Sequence, residues 1–160
     1  MNATTRPAAT LDELAAQVRR LTDRADLQDL VFEYALACDR RDERGWRAIF
    51  TPDARAKYGK DDWLEGADAI VGWLLQATAP TTWGHHLLAP YTAETAGDEA
   101  DVLAYLISHQ VFAGDLDAAT MMTSRYQLQC RRGPAGWQIR ELTLTVGWFE
   151  VRRADQSLVP

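Results

Sequence analysis

Apolar residues recur at helical spacing through the first fifty positions and at strand spacing through most of the remainder. Leu11, Leu14, Ala15, Val18 and Leu21 form one stripe of an amphipathic helix. Thr10 precedes them as an N-cap, and Glu13 completes a capping box. A second stripe runs through Leu27, Leu30, Val31, Tyr34, Ala35 and Cys38, with Asp26, Asp29 and Arg40 off it. Gly45 interrupts this pattern, and Trp46, Ile49 and Phe50 predict a short third helix. Thr51-Pro52-Asp53 has the chemistry of a turn.

The period then changes. Ala54, Ala56 and Tyr58 alternate with Arg55 and Lys57, a short strand, and Ala67 to Ala77 reads as a buried helix ended by Pro80. After Thr82 the chain reads as β, broken at Gly97-Asp98, Gly114-Asp115 and Gly133-Pro134. Four strands result, at about 83–95, 100–112, 118–131 and 136–151. Helices followed by a long-stranded meander predict an α+β fold, in which a curved sheet wrapped around one long helix leaves an open-mouthed cone. Residues 1–9 and 153–160 read as tails around a single domain, 10–152.

Composition narrows the function. A chain of 160 residues, 47% apolar and 25% charged, suits one soluble globular domain. A net charge of −6 without a basic cluster argues against nucleic acid or an anionic membrane as partner. The longest apolar run, Ala69 to Leu75, is far short of the roughly 20 residues that span a bilayer. No basic-then-apolar leader opens the chain, and Cys38 and Cys130 are isolated, so a reduced, cytoplasmic protein is expected.

Few side chains are left to carry chemistry. Asp39 falls inside the apolar arc of its helix, where a carboxylate is costly unless paired; capping the helix or pairing with Arg40 or Arg41 is the plainer alternative. The three histidines are His85, His86 and His109. Adjacent strand residues face opposite ways, so one of His85 and His86 faces the cone, not both. His109 shares its face with Leu103, Tyr105, Ile107 and Val111 and is a candidate either for the core or for catalysis. Tyr34 turns to the apolar side of the helix and Tyr58 sits on the first strand; each phenol is a candidate donor to a carbonyl or leaving hydroxyl, or a core residue. Trp63, Trp73, Trp83, Trp137 and Trp148 line a pocket or fill the core. Asp, His and Tyr on one wall would supply an oriented base and a donor. No phosphate-binding, dinucleotide or nucleophile-elbow motif occurs, and the histidines have no clear metal-ligand spacing. No cofactor or metal is expected.

The stretch DLQDLVFEYALACDRRDERGWRAIFTPDA, the paired-histidine strand and GPAGWQIREL resemble the SnoaL-like branch of the NTF2-like superfamily, over roughly residues 11 to 150. The Y-x-x-x-x-D helix followed by W-x-x-x-F-x-x-D is its mark. The resemblance implies an NTF2-like cone with N-terminal helices packed in a curved mixed or antiparallel sheet around a pocket. It is nearest to scytalone dehydratase, bile acid 7α-dehydratase and hexachlorocyclohexane dehydrochlorinase, eliminating enzymes built on an Asp–His pair. It places Asp39 and His86 on that pair, His109 on a second catalytic histidine, and Tyr34 and Tyr58 on substrate-binding tyrosines. Arg132 lies near an arginine of the dehydrochlorinase, and Ser124 near a missing asparagine of the dehydratase. Cys38 replaces a second carbonyl-binding tyrosine, which argues for a different substrate.

The expected function is a cofactor-independent lyase of the dehydratase type, acting on a hydrophobic cyclic or aromatic molecule. Asp39, His86, His109, Tyr34 and Tyr58 are its expected catalytic residues, with Trp63, Trp83, Ser124, Arg132 and Trp148 on the substrate. An isomerase or polyketide-type cyclase, and a non-catalytic binding or assembly subunit, are the alternatives. Leu142, Leu144, Val146 and Trp148 share a strand face, whose exposure would imply a homodimer or homotrimer.

Overall fold

One helix, α1 (Leu11–Arg40), carries both N-terminal stripes without a break. Thr10 caps it through the expected reciprocal bonds with Glu13. The computed structural model describes residues 9–153, so the expected tails lie outside it except for Ala9 and Arg153. Leu27 follows Leu21 by six residues, about 240° around a helix. The second stripe therefore faces the sheet and is buried from Leu27 to Cys38, whereas Leu11, Leu14, Val18 and Leu21 face away and are exposed. Only the second stripe is core.

Helix α1 ends in a Schellman turn. Arg41 takes a left-handed conformation (φ 53°), and the Asp42 N–H reaches the Ala37 carbonyl at 2.9 Å. The short helix α2 (Glu43–Ile49) follows directly. Strand β1 (Phe50–Tyr58) begins at Phe50 and runs through Thr51-Pro52-Asp53, where a turn was expected. Its ladder with the last strand is irregular between Phe50 and Arg55, so Pro52 withdraws no donor from a regular ladder. The two-residue strand β2 (Leu64–Glu65) was too short for periodicity to show. Helix α3 (Ala67–Thr78) stands as expected.

The four long strands are β3 (Thr81–Ala96), β4 (Glu99–Phe112), β5 (Asp115–Gly133) and β6 (Gly136–Arg153). They turn at the three predicted breaks, with Gly97 (φ +66°) and Gly136 (φ +102°) supplying left-handed backbone. The sheet runs β2-β1-β6-β5-β4-β3, with β1 parallel to β6 and every other pair antiparallel. It is a curved, mixed, unclosed sheet around α1, the cone that the pattern predicted. Leu142 and Leu144 face inward and are buried in the core beside Ile139 and Tyr126. This corrects the expectation for Leu142 and Leu144, whereas Val146 and Trp148 of the same expected set are exposed, so only half of that apolar face is present. No helix among the described residues is long and apolar enough to cross a membrane.

Candidate active site

Asp39 occupies the last turn of α1, and His86 projects from β3 on the face that packs against that helix. Their side chains meet, His86 Nδ1 lying 2.7 Å from Asp39 Oδ1. The His86 side chain is 10% exposed and that of Asp39 24%, so the carboxylate sits at the rim rather than in the core. A carboxylate accepts only, so Nδ1 carries the proton and Nε2 presents a lone pair. The Gln110 amide, two residues beyond Ser108 on the same face of β4, approaches that nitrogen at 3.4 Å. Gly84 shares the inner face. A methyl there would come within 3.3 Å of the Gln110 side chain and 3.1 Å of the His109 carbonyl.

Below His86 lies a cavity of about 250 Å³, lined among others by Tyr34, Tyr58, Trp73, Met122 and Tyr126. Trp73 stacks flat on Tyr58 at 4.3 Å, and Tyr126 meets the Tyr34 ring edge-on at 5.6 Å. Tyr34 Oη donates to Tyr58 Oη at 3.2 Å, which leaves the Tyr58 proton free to point into the cavity. Burial pushes all three phenols up, so they remain neutral donors. Cys38 lines the same wall, its thiol pushed up to about 12 by burial. Cys130, also buried, is likewise raised to about 12. Both thiols therefore stay protonated well above neutrality and are poor nucleophiles. The folded protein at pH 8 is expected to leave both cysteines unlabelled by a thiol-disulfide reagent, and the unfolded chain to react at two. Rapid labelling of the native state would contradict this burial.

A family model described as a SnoaL-like domain matches residues 19–143. The chain belongs to the SnoaL-like family. Rv2910c, an uncharacterised protein of Mycobacterium tuberculosis strain ATCC 25618 / H37Rv, is 30% identical over 132 residues, covering 82% of this chain and 90% of that protein. The hexachlorocyclohexane dehydrochlorinase LinA-type3 of Novosphingobium barchaimii LL02 superposes with a TM-score of 0.78 at 18% identity, over 90% of this chain and 99% of that one. A scytalone dehydratase-like protein of Novosphingobium aromaticivorans DSM 12444 gives 0.76 at 15% identity, over 88% and 97%. At these identities the structural likenesses show the NTF2-like cone itself.

Within this SnoaL-like cone, Asp39, His86, Tyr34 and Tyr58 come together, and the other expected site residues do not. His109 points to the outer face of the sheet, its Nδ1 3.2 Å from His85 Nε2. The strand period explains the correction: residue 109 pairs with His85, not with the inward His86, and Gln110 takes the inner place. Trp83 borders the cleft beside Asp39, but its ring stands edge-on to His85 on the outer side. Trp148 pairs with Thr123 and is exposed on that face too. Trp63 lies under Arg55, its ring 4.4 Å from the guanidinium carbon. Arg132 is held against the middle of α1, away from Asp39, by Asp23 at 2.8 Å and lies over Trp137. Ser124 is buried on the inner face of β5 with its hydroxyl unpartnered, and does not border the cavity. Gln110 and Tyr126 went unread. Their only signal was parity with His86 and the buried strand residues. Among the described residues, no three His, Cys, Asp or Glu side chains are grouped to hold a metal ion.

Proposed function

We propose that this protein is a cofactor-independent lyase that eliminates a β-substituent from a hydrophobic cyclic or aromatic molecule. The supporting observation is the 2.7 Å Asp39–His86 pair at the head of an aromatic-lined cavity. His86 Nε2 takes a proton from the carbon next to a carbonyl, and Asp39 stabilises the imidazolium that results. The electron pair of the broken C–H bond passes to the carbonyl oxygen, which the Tyr58 O–H holds as an enolate. Collapse of the enolate forms the carbon–carbon double bond and expels the β-substituent, a hydroxide protonated by the imidazolium or a halide that leaves unaided. The dehydratase and dehydrochlorinase names of structurally similar proteins support the reaction type.

Isomerisation or cyclisation is the second reading, favoured by one observation. Gln110 stands where a second imidazole was expected, so the nearest proton donor besides the phenols is the imidazolium itself. Returning that proton to another carbon isomerises the substrate. Incubation with a panel of cyclic β-hydroxy and β-halo ketones distinguishes the outcomes, since elimination lowers the product mass and isomerisation conserves it. No conversion of any carbonyl substrate, with the purified protein shown to need a larger partner for function, would favour an assembly subunit instead. Tyr58→Phe is expected to lower kcat by about 10²–10³, the usual loss for one donor to a developing oxyanion. His109→Ala, on the outer face, is expected to leave kcat within about threefold. Equal losses in both variants would contradict the assignment of roles.

A further inference from the structure

The outer face of the sheet carries a second pair of side chains able to do chemistry, which the elimination does not use. His85 on β3 and His109 on β4 stand directly opposite one another in the antiparallel ladder. His109 Nδ1 lies 3.2 Å from His85 Nε2, with the pair part-buried. The ring centroids are 4.8 Å apart and the planes are tilted by 37°. An in-line N–H···N contact of that length would hold the centroids farther apart. The rings therefore lean beside one another, and the bond between them is long and bent. Among the described residues neither ring has another hydrogen-bond partner, unlike His86, which Asp39 holds.

We propose that this pair binds a late transition-metal ion, Cu²⁺ most tightly and Zn²⁺ next, through His85 Nε2 and His109 Nδ1. The separation of the two nitrogens carries the assignment. Nitrogens 3.2 Å apart, each about 2.0–2.1 Å from one ion, subtend roughly 100° at it, between the square-planar and tetrahedral angles. Atoms that make a poor hydrogen bond thus stand where two ligands of a single ion stand. Each ring keeps a second nitrogen to carry its proton, so two neutral imidazoles can offer both lone pairs at once. The ladder holds the pair in place, since directly opposed residues keep their Cβ atoms about 4.5–5.5 Å apart. Imidazole suits both ions, and Cu²⁺ binds the more tightly. Met121 stands opposite His109 on the same face of β5, and a soft thioether there favours copper further. Glu150 follows on β6 but is engaged by Arg152. Two imidazoles leave the other coordination positions to water, which makes this an open, exchangeable site rather than a closed structural cage. Sequence spacing hid it, because the histidines are 24 residues apart and only the register of β3 on β4 joins them.

Isothermal titration calorimetry of the tag-free, chelator-treated chain with Cu²⁺ and with Zn²⁺ tests the site. The expected result is one Cu²⁺ per chain at micromolar affinity, with Zn²⁺ about tenfold weaker or more. His85→Gln and His109→Gln are each expected to abolish saturable binding in that range. Both positions lie on the outer face, so each variant should keep the native far-ultraviolet circular dichroism. His86→Ala removes the imidazole of the inner face and is expected to leave Cu²⁺ binding unchanged, which separates this site from the Asp39–His86 pair. Electron spin-echo modulation of the bound Cu²⁺ is expected to report two imidazoles. No saturable Cu²⁺ binding, binding that survives both glutamine variants, binding lost in His86→Ala, or a signal from fewer than two imidazoles would overturn the proposal.

Discussion

His86→Ala and Asp39→Asn are each expected to lower kcat/KM by about 10²–10⁴, the contribution of a positioned base, while leaving the far-ultraviolet circular dichroism unchanged. His86 is the only imidazole on the inner face of β3 and β4; it lines the cavity, with Nε2 toward Gln110. Removing the ring leaves Asp39 behind at the rim, with no imidazole between it and the cavity to carry the proton. Asparagine at position 39 preserves shape and hydrogen-bond reach. Its amide, however, can donate to Nδ1, which moves the imidazole proton to Nε2 and cancels the lone pair facing the substrate. Alanine at position 39 also removes that wrong donor, so Asp39→Ala is expected to retain somewhat more activity than Asp39→Asn. Solvent deuterium incorporation into unreacted substrate provides a second readout of proton abstraction and should vanish with turnover. If both variants keep near-native rates and exchange, His86 is not the base, and the elimination and isomerisation readings fall together.

Much of this site was legible because helix and strand periods are local properties. The run from Leu27 to Cys38 dictated a buried face; Asp39, read as lying inside its apolar arc, stands instead at its rim, close enough for His86 to reach it. Two adjacent histidines in a strand had to split between faces, so one faced α1 whatever the register. What sequence could not supply was parity across strands. Whether His109 or Gln110 shares the face of His86 depends on the pairing of His85 with His109, which a two-residue hairpin at Gly97-Asp98 and a bulge near Pro90 set jointly. One residue of slip exchanges the two. The same lack put Leu142 and Leu144 on the outside, when the parallel pairing of β1 with β6 turns them into the core. Thr51-Pro52-Asp53 failed for another reason: proline chemistry is the same in a turn and in an irregular stretch of strand. The Leu11–Leu21 stripe is a true helical signal on the exposed side of α1, because amphipathicity gives the helix but not which of its faces the sheet covers.

The largest effect on stability is expected at Trp46, which is fully buried in a helix of only seven residues. Helix α2 is too short to persist by its own hydrogen bonds, so it is held by packing against α1, α3, β1 and β6. Trp46 and Ile49 are its buried anchors. Truncating a buried tryptophan to alanine removes its transfer energy and leaves a cavity that a close-packed interior only partly refills, about 3–5 kcal/mol. At roughly 2–4 °C per kcal/mol for a chain of this size, Trp46→Ala should lower Tm by roughly 6–20 °C. The neighbouring Gly45 shows how little room exists, since a methyl there would lie 2.8 Å from Asp42 Oδ2 and 3.3 Å from the Ala37 methyl. Trp46→Phe keeps most of the packed area and should recover most of the loss. The effect should also reach the site, because α2 begins at Glu43, directly after the Arg41 turn that fixes the last turn of α1 and with it Asp39. Trp46→Ala assayed well below its own Tm should therefore show a reduced kcat with KM little changed, since the cavity walls from β5 and β6 are untouched. A thermal shift smaller than about 2 °C would mean that α2 is held by something other than this ring, and the coupling from packing to Asp39 would go with it.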